Sequence, residues 1–107
     1  MSKVVITGGD ANDIGSALET AGAEVTLAKG TADSESLEAA GIDDADVLVV
    51  TDVGLATSIV VAKERNPDLR VFVYTRNSLP EFAKGLVDHI VDPALLDPET
   101  VAEELLS

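Results

Sequence analysis

The run Asp46-Val47-Leu48-Val49-Val50-Thr51 constrains this chain more than any other segment, because nothing between Asp46 and Thr51 offers a polar face. A strand with one wet face alternates apolar and polar residues, whereas a strand covered on both faces reads as a continuous apolar run. The segment therefore predicts a central strand of a parallel sheet, and it obliges the rest of the chain to supply helices for both faces.

The flanking segments meet that demand. Lys3 to Thr7 is a short β-branched run stopped by Gly8-Gly9, after which Ile14, Ala17, Leu18 and Ala21 recur at helical spacing up to Gly22. Glu24 to Ala28 reads as a second strand, and Asp33 or Ser34 is placed to cap a helix that carries Leu37 and Ala40 inward and ends at Gly41. A helix is predicted from Leu55 to Arg65, with Ile59, Val60 and Ala62 on its apolar side. Asn66-Pro67 closes it, since proline disfavours helix in the residue before it. Arg70 to Tyr74 gives a fourth strand, Leu79 to Leu86 a helix with Phe82 and Ala83 inward, Asp88 to Val91 a last strand, and Pro98 to Leu106 a closing helix.

Strands that alternate with helices through short connections belong to an α/β fold with a parallel sheet. Right-handed crossovers with one reversal after the second strand give the order 2-1-3-4-5, a three-layer Rossmann-like or flavodoxin-like sheet with helices on both faces. At the reversal a crevice is expected over the carboxyl ends of the first and third strands, which brings Gly8, Gly9 and Thr51 together. The length of 107 residues predicts one domain spanning residues 1–107.

Composition narrows the partners. Twenty acidic residues against seven basic ones give a formal charge of −13, which repels phosphate backbones and makes nucleic acid a poor partner. The carboxylates are interleaved with apolar periodic segments, so they decorate a folded surface and do not form a disordered tail. Lysine occurs only at positions 3, 29, 63 and 84. Such a surface suits molar salt, where the Debye length falls to about 3 Å, and the expectation is a halophilic protein. The absence of cysteine fits an intracellular setting. Met1-Ser2-Lys3 runs straight into a strand without a leader, and no stretch approaches the ~18 apolar residues of a membrane span. A soluble cytoplasmic protein is expected.

Three stretches carry a family likeness: residues 41–51 (Gly-Ile-Asp-Asp-Ala-Asp-Val-Leu-Val-Val-Thr), residues 62–71 (Ala-Lys-Glu-Arg-Asn-Pro-Asp-Leu-Arg-Val) and residues 88–93 (Asp-His-Ile-Val-Asp-Pro). Together they resemble the TrkA-N or RCK-N nucleotide-binding domain. That resemblance implies a Rossmann fold that binds NAD(H) or an adenine nucleotide and regulates potassium channels or transporters. The chain departs from the pattern in two places. Asp10 and Asn12 stand where the first two glycines of the family's Gly-x-Gly-x-x-Gly turn belong, and only Gly15 is retained in place. The strand-helix unit that would carry a ribose-binding acid is absent, and the family's Gly-Asp-Ala-Thr ending corresponds to Lys29-Gly30-Thr31-Ala32.

The candidate cofactor site is accordingly Gly8, Gly9, Asp10, Asn12, Asp13 and Gly15, joined by Thr51 and Asp52 at the tip of the central strand. A strand-turn-helix of this kind aims backbone N–H groups and a helix N-terminus at an anion. The plainer reading is a glycine turn with Asp13 or Asn12 as helix cap, and Asp10 and Asp13 would repel a phosphate. Asp52 is suited to a ribose hydroxyl or a cation, or simply to capping the next helix. Lys29 and Arg76 lie at neighbouring strand ends as solvated rim residues. His89, the single histidine, lacks any metal-ligand spacing and reads as structural, and no nucleophile-base-acid arrangement is legible.

These readings converge on a non-catalytic, free-standing TrkA-N-like module that senses a ligand or binds a protein. The alternatives are a nucleotide- or dinucleotide-binding regulatory domain and, last, a small enzyme. The same strand order also serves phosphoacceptor receiver domains, which need an acidic pair after the first strand, an Asp after the third and a Lys after the last. Asp52 meets the second requirement; Gly8-Gly9 stand in place of the acidic pair, and no Lys follows Val91. Leu95, Leu96, Leu105 and Leu106 are expected to pack internally, the alternative being contact with a second copy of the chain.

Overall fold

A computed structural model describes residues 2–8, 13–28, 34–52, 57–75 and 81–106. Strand and helix alternate as β1 (Lys3–Thr7), α1 (Ile14–Thr20), β2 (Glu24–Ala28), α2 (Ser34–Ala39), a 3-10 turn (Ile42–Asp44), β3 (Val47–Val50), α3 (Thr57–Arg65), β4 (Arg70–Tyr74), α4 (Glu81–Lys84), β5 (His89–Val91) and α5 (Pro98–Leu106). The strands form one parallel sheet in the order β2-β1-β3-β4-β5, as the sequence predicts.

Every residue of β3 is buried, so the unbroken apolar run does occupy the centre of the sheet. Its two faces feed separate cores. Leu48 and Val50, with Val5, Val71 and Val73 from the neighbouring strands, pack against Leu37 of α2, Ile59 and Ala62 of α3 and Ala83 of α4. Val47 and Val49, with Val4, Ile6, Phe72 and Tyr74, pack against Ile14 and Leu18 of α1 and Val101, Ala102 and Leu105 of α5. Burying each such side chain contributes about 1.5–3 kcal/mol, so the period-2 alternation of the strands fixes the face that each presents.

Local signals end the elements where expected. The Asn66 backbone N–H donates to the Ala62 carbonyl at 2.8 Å, and its side-chain amide donates to the carbonyls of Ile42 (3.1 Å) and Ala45 (2.8 Å). One residue thus closes α3 and ties the 3-10 turn to it. At the start of α5, the Thr100 N–H donates to Asp97 Oδ1 at 2.8 Å, and Pro98 follows at the first helical position, where a missing N–H costs nothing.

Two expectations need correction. Phe82 was expected inward with Ala83, but it is 56% exposed while Ala83 is fully buried. On the four-residue α4 adjacent side chains point about 100° apart, so one of them faces the sheet and the other leaves it. The C-terminal leucines also divide. Leu105 is buried and Leu106 packs against the same core, whereas Leu95 is 79% exposed and Leu96 partly so, because both precede the helix that buries the later pair.

Candidate functional site

The carboxyl-terminal ends of β1 and β3 meet in a tight corner. The ladder continues one residue past β3, where the Thr51 N–H donates to the Thr7 carbonyl at 2.9 Å and the Thr51 hydroxyl donates to the same oxygen at 3.1 Å. Gly8 follows with φ +99, a conformation that side chains rarely adopt. A Cβ at position 8 would lie 2.6 Å from the Asp52 backbone nitrogen, 2.7 Å from Asp52 Cβ and 2.8 Å from Thr51 Oγ1. The predicted meeting of Gly8 with Thr51 and Asp52 is therefore observed. Its effect is to close the corner, since the glycine is needed for the two chain segments to touch.

Asp13 and Gly15 lie at the start of α1. Asp13 occupies the cap position in left-handed conformation (φ 60), but its side chain makes no capping hydrogen bond, so the expected cap through Asp13 is not formed. Gly15 is buried beside Ile14. Gly9, Asp10 and Asn12 lie outside the described residues, as do Asp33, Lys29 and Arg76.

The tips of the remaining strands carry residues that the sequence reading passed over. Thr7 is fully buried, and its hydroxyl has no hydrogen-bond partner; Thr75 is 7% exposed at the end of β4. The one available signal was that Thr7, Thr51 and Thr75 each stand at the close of an apolar run. After β5, where a receiver would need a lysine, stands Asp92, whose Oδ1 accepts the Ala94 N–H at 2.8 Å and folds the chain into a turn. His89 packs its ring on Phe72 with centroids 5.0 Å apart, the structural role anticipated for it. Among the described residues no group of three or more His, Asp or Glu side chains converges to hold a metal ion. No described helix is long and apolar enough to cross a membrane.

Solved structures with this fold include pilus-assembly proteins of Burkholderia and several response regulators. An orphan response regulator of Helicobacter pylori superposes with a TM-score of 0.73 at 17% identity, covering 98% of this chain and 93% of its own. A CheY-like receiver domain protein of Methanospirillum hungatei gives 0.71 at 15% identity, with 99% and 91% covered. A chain from the complex of the histidine kinase ThkA with the response regulator TrrA gives 0.66 at 16% identity, with both chains covered completely. At such identities the likeness establishes the flavodoxin-like fold.

These findings overturn the resemblance to the TrkA-N or RCK-N domain. The physical reason is visible in the sheet: a dinucleotide-binding fold places two strands beyond β1, in the order 3-2-1-4-5-6, whereas here β2 is the edge. The repeated strand-helix units of both folds demand the same apolar spacing, and the quoted stretches are mostly such fold-determining positions. With the resemblance go the expectations drawn from it: the ligand-sensing TrkA-N-like module, the nucleotide-binding regulatory domain, the small enzyme and the bound NAD(H) or adenine nucleotide. The halophilic reading of the acidic surface is likewise withdrawn, as none of the matched proteins points to it. No curated protein matches the chain in sequence. A family of unknown function, DUF7126, matches residues 4–105, and the chain belongs to that family.

Proposed function

We propose that this chain is a receiver-like signalling domain that acts by docking on a protein partner and does not pass a phosphoryl group through Asp52. The closed β1–β3 corner carries this reading. Phosphoryl transfer to an aspartate at the tip of the third strand calls for acidic groups at the tip of the first and a lysine beyond the last. Gly8 and Gly9 stand in the first of these places and Asp92 in the second. Any acid introduced at position 8 would collide with the Asp52 backbone and sit in a disfavoured conformation. Asp92 is engaged in its own turn and adds negative charge where positive charge is required.

A docking role is supported by exposed apolar side chains. Among the described residues, four of the five large exposed apolar side chains, Phe82, Ile90, Leu95 and Leu96, come from the segment running through α4 and β5 to the approach of α5, and the fifth is Leu27. Exposed large apolar side chains in one stretch of the chain are candidates for an interaction surface. The matched complex of a histidine kinase with its response regulator shows that this fold is used in protein recognition, and the same use is proposed here.

The test is incubation of the full chain with a small phosphodonor and Mg²⁺, followed by intact-mass spectrometry. An unchanged mass is expected. A phosphoryl increment that disappears in Asp52→Asn overturns the reading.

A further inference from the structure

On the opposite side of the molecule from α4, the outer surfaces of α1 and α5 enclose an open groove of about 920 Å³. Its floor includes Ala17 and Leu106, both partly buried, and its rim carries Asp13, Asp97, Glu99 and Glu103. Among the described residues, no basic one lines it. Hydrogen bonds from the Thr100 backbone N–H and hydroxyl hold the Asp97 carboxyl below the ordinary carboxylate range, so that carboxylate stays charged well into acid. The ion pairs seen among the described residues join Arg65 to Glu38 and Asp43 and Lys84 to Glu81, all away from this groove. An apolar floor walled by carboxylates that no described cation neutralises is chemically one-sided.

We infer that the α1–α5 groove docks a short amphipathic helix of a partner protein, with apolar residues on its inner side and lysine or arginine along its edges. Charge complementarity selects this occupant. A second copy of the chain would bring another formal charge of −13 against the same carboxylates. A helix also fits the shape, because the small residues Ser16, Ala17, Thr20 and Ala21 keep the α1 wall low and let a third helix approach at the usual 8–10 Å spacing. The nine residues of α5 span about 13 Å, enough for two to three turns of the guest. The inference rests on the docking role proposed above and adds to it a second face and the charge of the partner segment that this face would take.

The test uses the full ¹⁵N-labelled chain and two synthetic amphipathic peptides of the same leucine pattern, one with lysine edges and one with glutamate edges. The lysine peptide is expected to shift backbone amides of α1 and α5, and the glutamate peptide to shift none. Glu99→Gln with Glu103→Gln is expected to weaken the lysine peptide about tenfold, two exposed ion pairs' worth, while Asp44→Asn with Asp68→Asn, which removes equal charge elsewhere, changes affinity less than about twofold. Equal weakening by the two pairs, or binding of the glutamate peptide, overturns the inference. Shifts confined to Phe82 and Ile90 sink the groove while leaving the docking role intact; phosphorylation of Asp52 does the reverse.

Discussion

The tip of β3 and the edge at β5 are built to opposite specifications. β3 is buried along its whole length and runs into a corner latched by Thr51 and closed by Gly8, whereas β5 is three residues long, with His89 and Ile90 exposed. The corner brings Asp52 so close to position 8 that a side chain there would collide with it. The edge holds no candidate for chemistry and offers apolar surface instead. In a fold whose strand ends are the usual place for ligands, this difference is what the proposed docking role rests on.

Mutations can break or sharpen that contrast. The largest effect is expected at the centre: Leu48→Ala removes a fully buried side chain from β3 and should cost about 3 kcal/mol in urea unfolding. Gly8→Ala comes next, at about 2 kcal/mol, from the positive φ and the contact with the Asp52 backbone. If it proved neutral, the corner would be looser than described and the case against an acid at position 8 would fail. Asn66→Ala should cost about 1–2 kcal/mol, since two carbonyls lose their donor, and it serves as a reference away from both regions.

Smaller still is Asp97→Ala, which loses the α5 cap and should lower the thermal midpoint slightly. Because the folded-state pKa of Asp97 is depressed, its contribution is present above the unfolded carboxylate pKa and fades as pH falls through the folded value. The difference in midpoint between parent and Asp97→Ala should therefore shrink in strong acid. The smallest change in stability is expected for Phe82→Ser with Ile90→Ser, within about 0.5 kcal/mol per site, accompanied by loss of partner binding. A cost like that of Leu48→Ala would mean the edge is core after all.

Most of the architecture could be read from local patterns. The apolar run at Val47–Val50, the helical spacing of Ile14 and Leu18, and the stop at Asn66-Pro67 each carry their meaning within a few residues, so the strand order followed from handedness and short connections. Phe82 escaped this reading because the length of α4, and not the apolar character of the residue, decides which side chain the sheet covers. The family resemblance failed for a related reason. Apolar spacing specifies a strand-helix unit equally well in several folds, so it reported the unit and not the fold that repeats it.

What the chain by itself determined is therefore the parallel sheet, its two apolar cores, the excess of acidic over basic residues and the absence of cysteine chemistry. Only the tertiary structure decided how closely Gly8 approaches Thr51 and Asp52, that Phe82, Ile90 and Leu95 stay exposed, and that carboxylates of α1 and α5 face one groove. Periodicity is a property of neighbours along the chain, whereas the Thr7–Thr51 latch joins residues 44 positions apart, and no local pattern reports how closely two such segments approach.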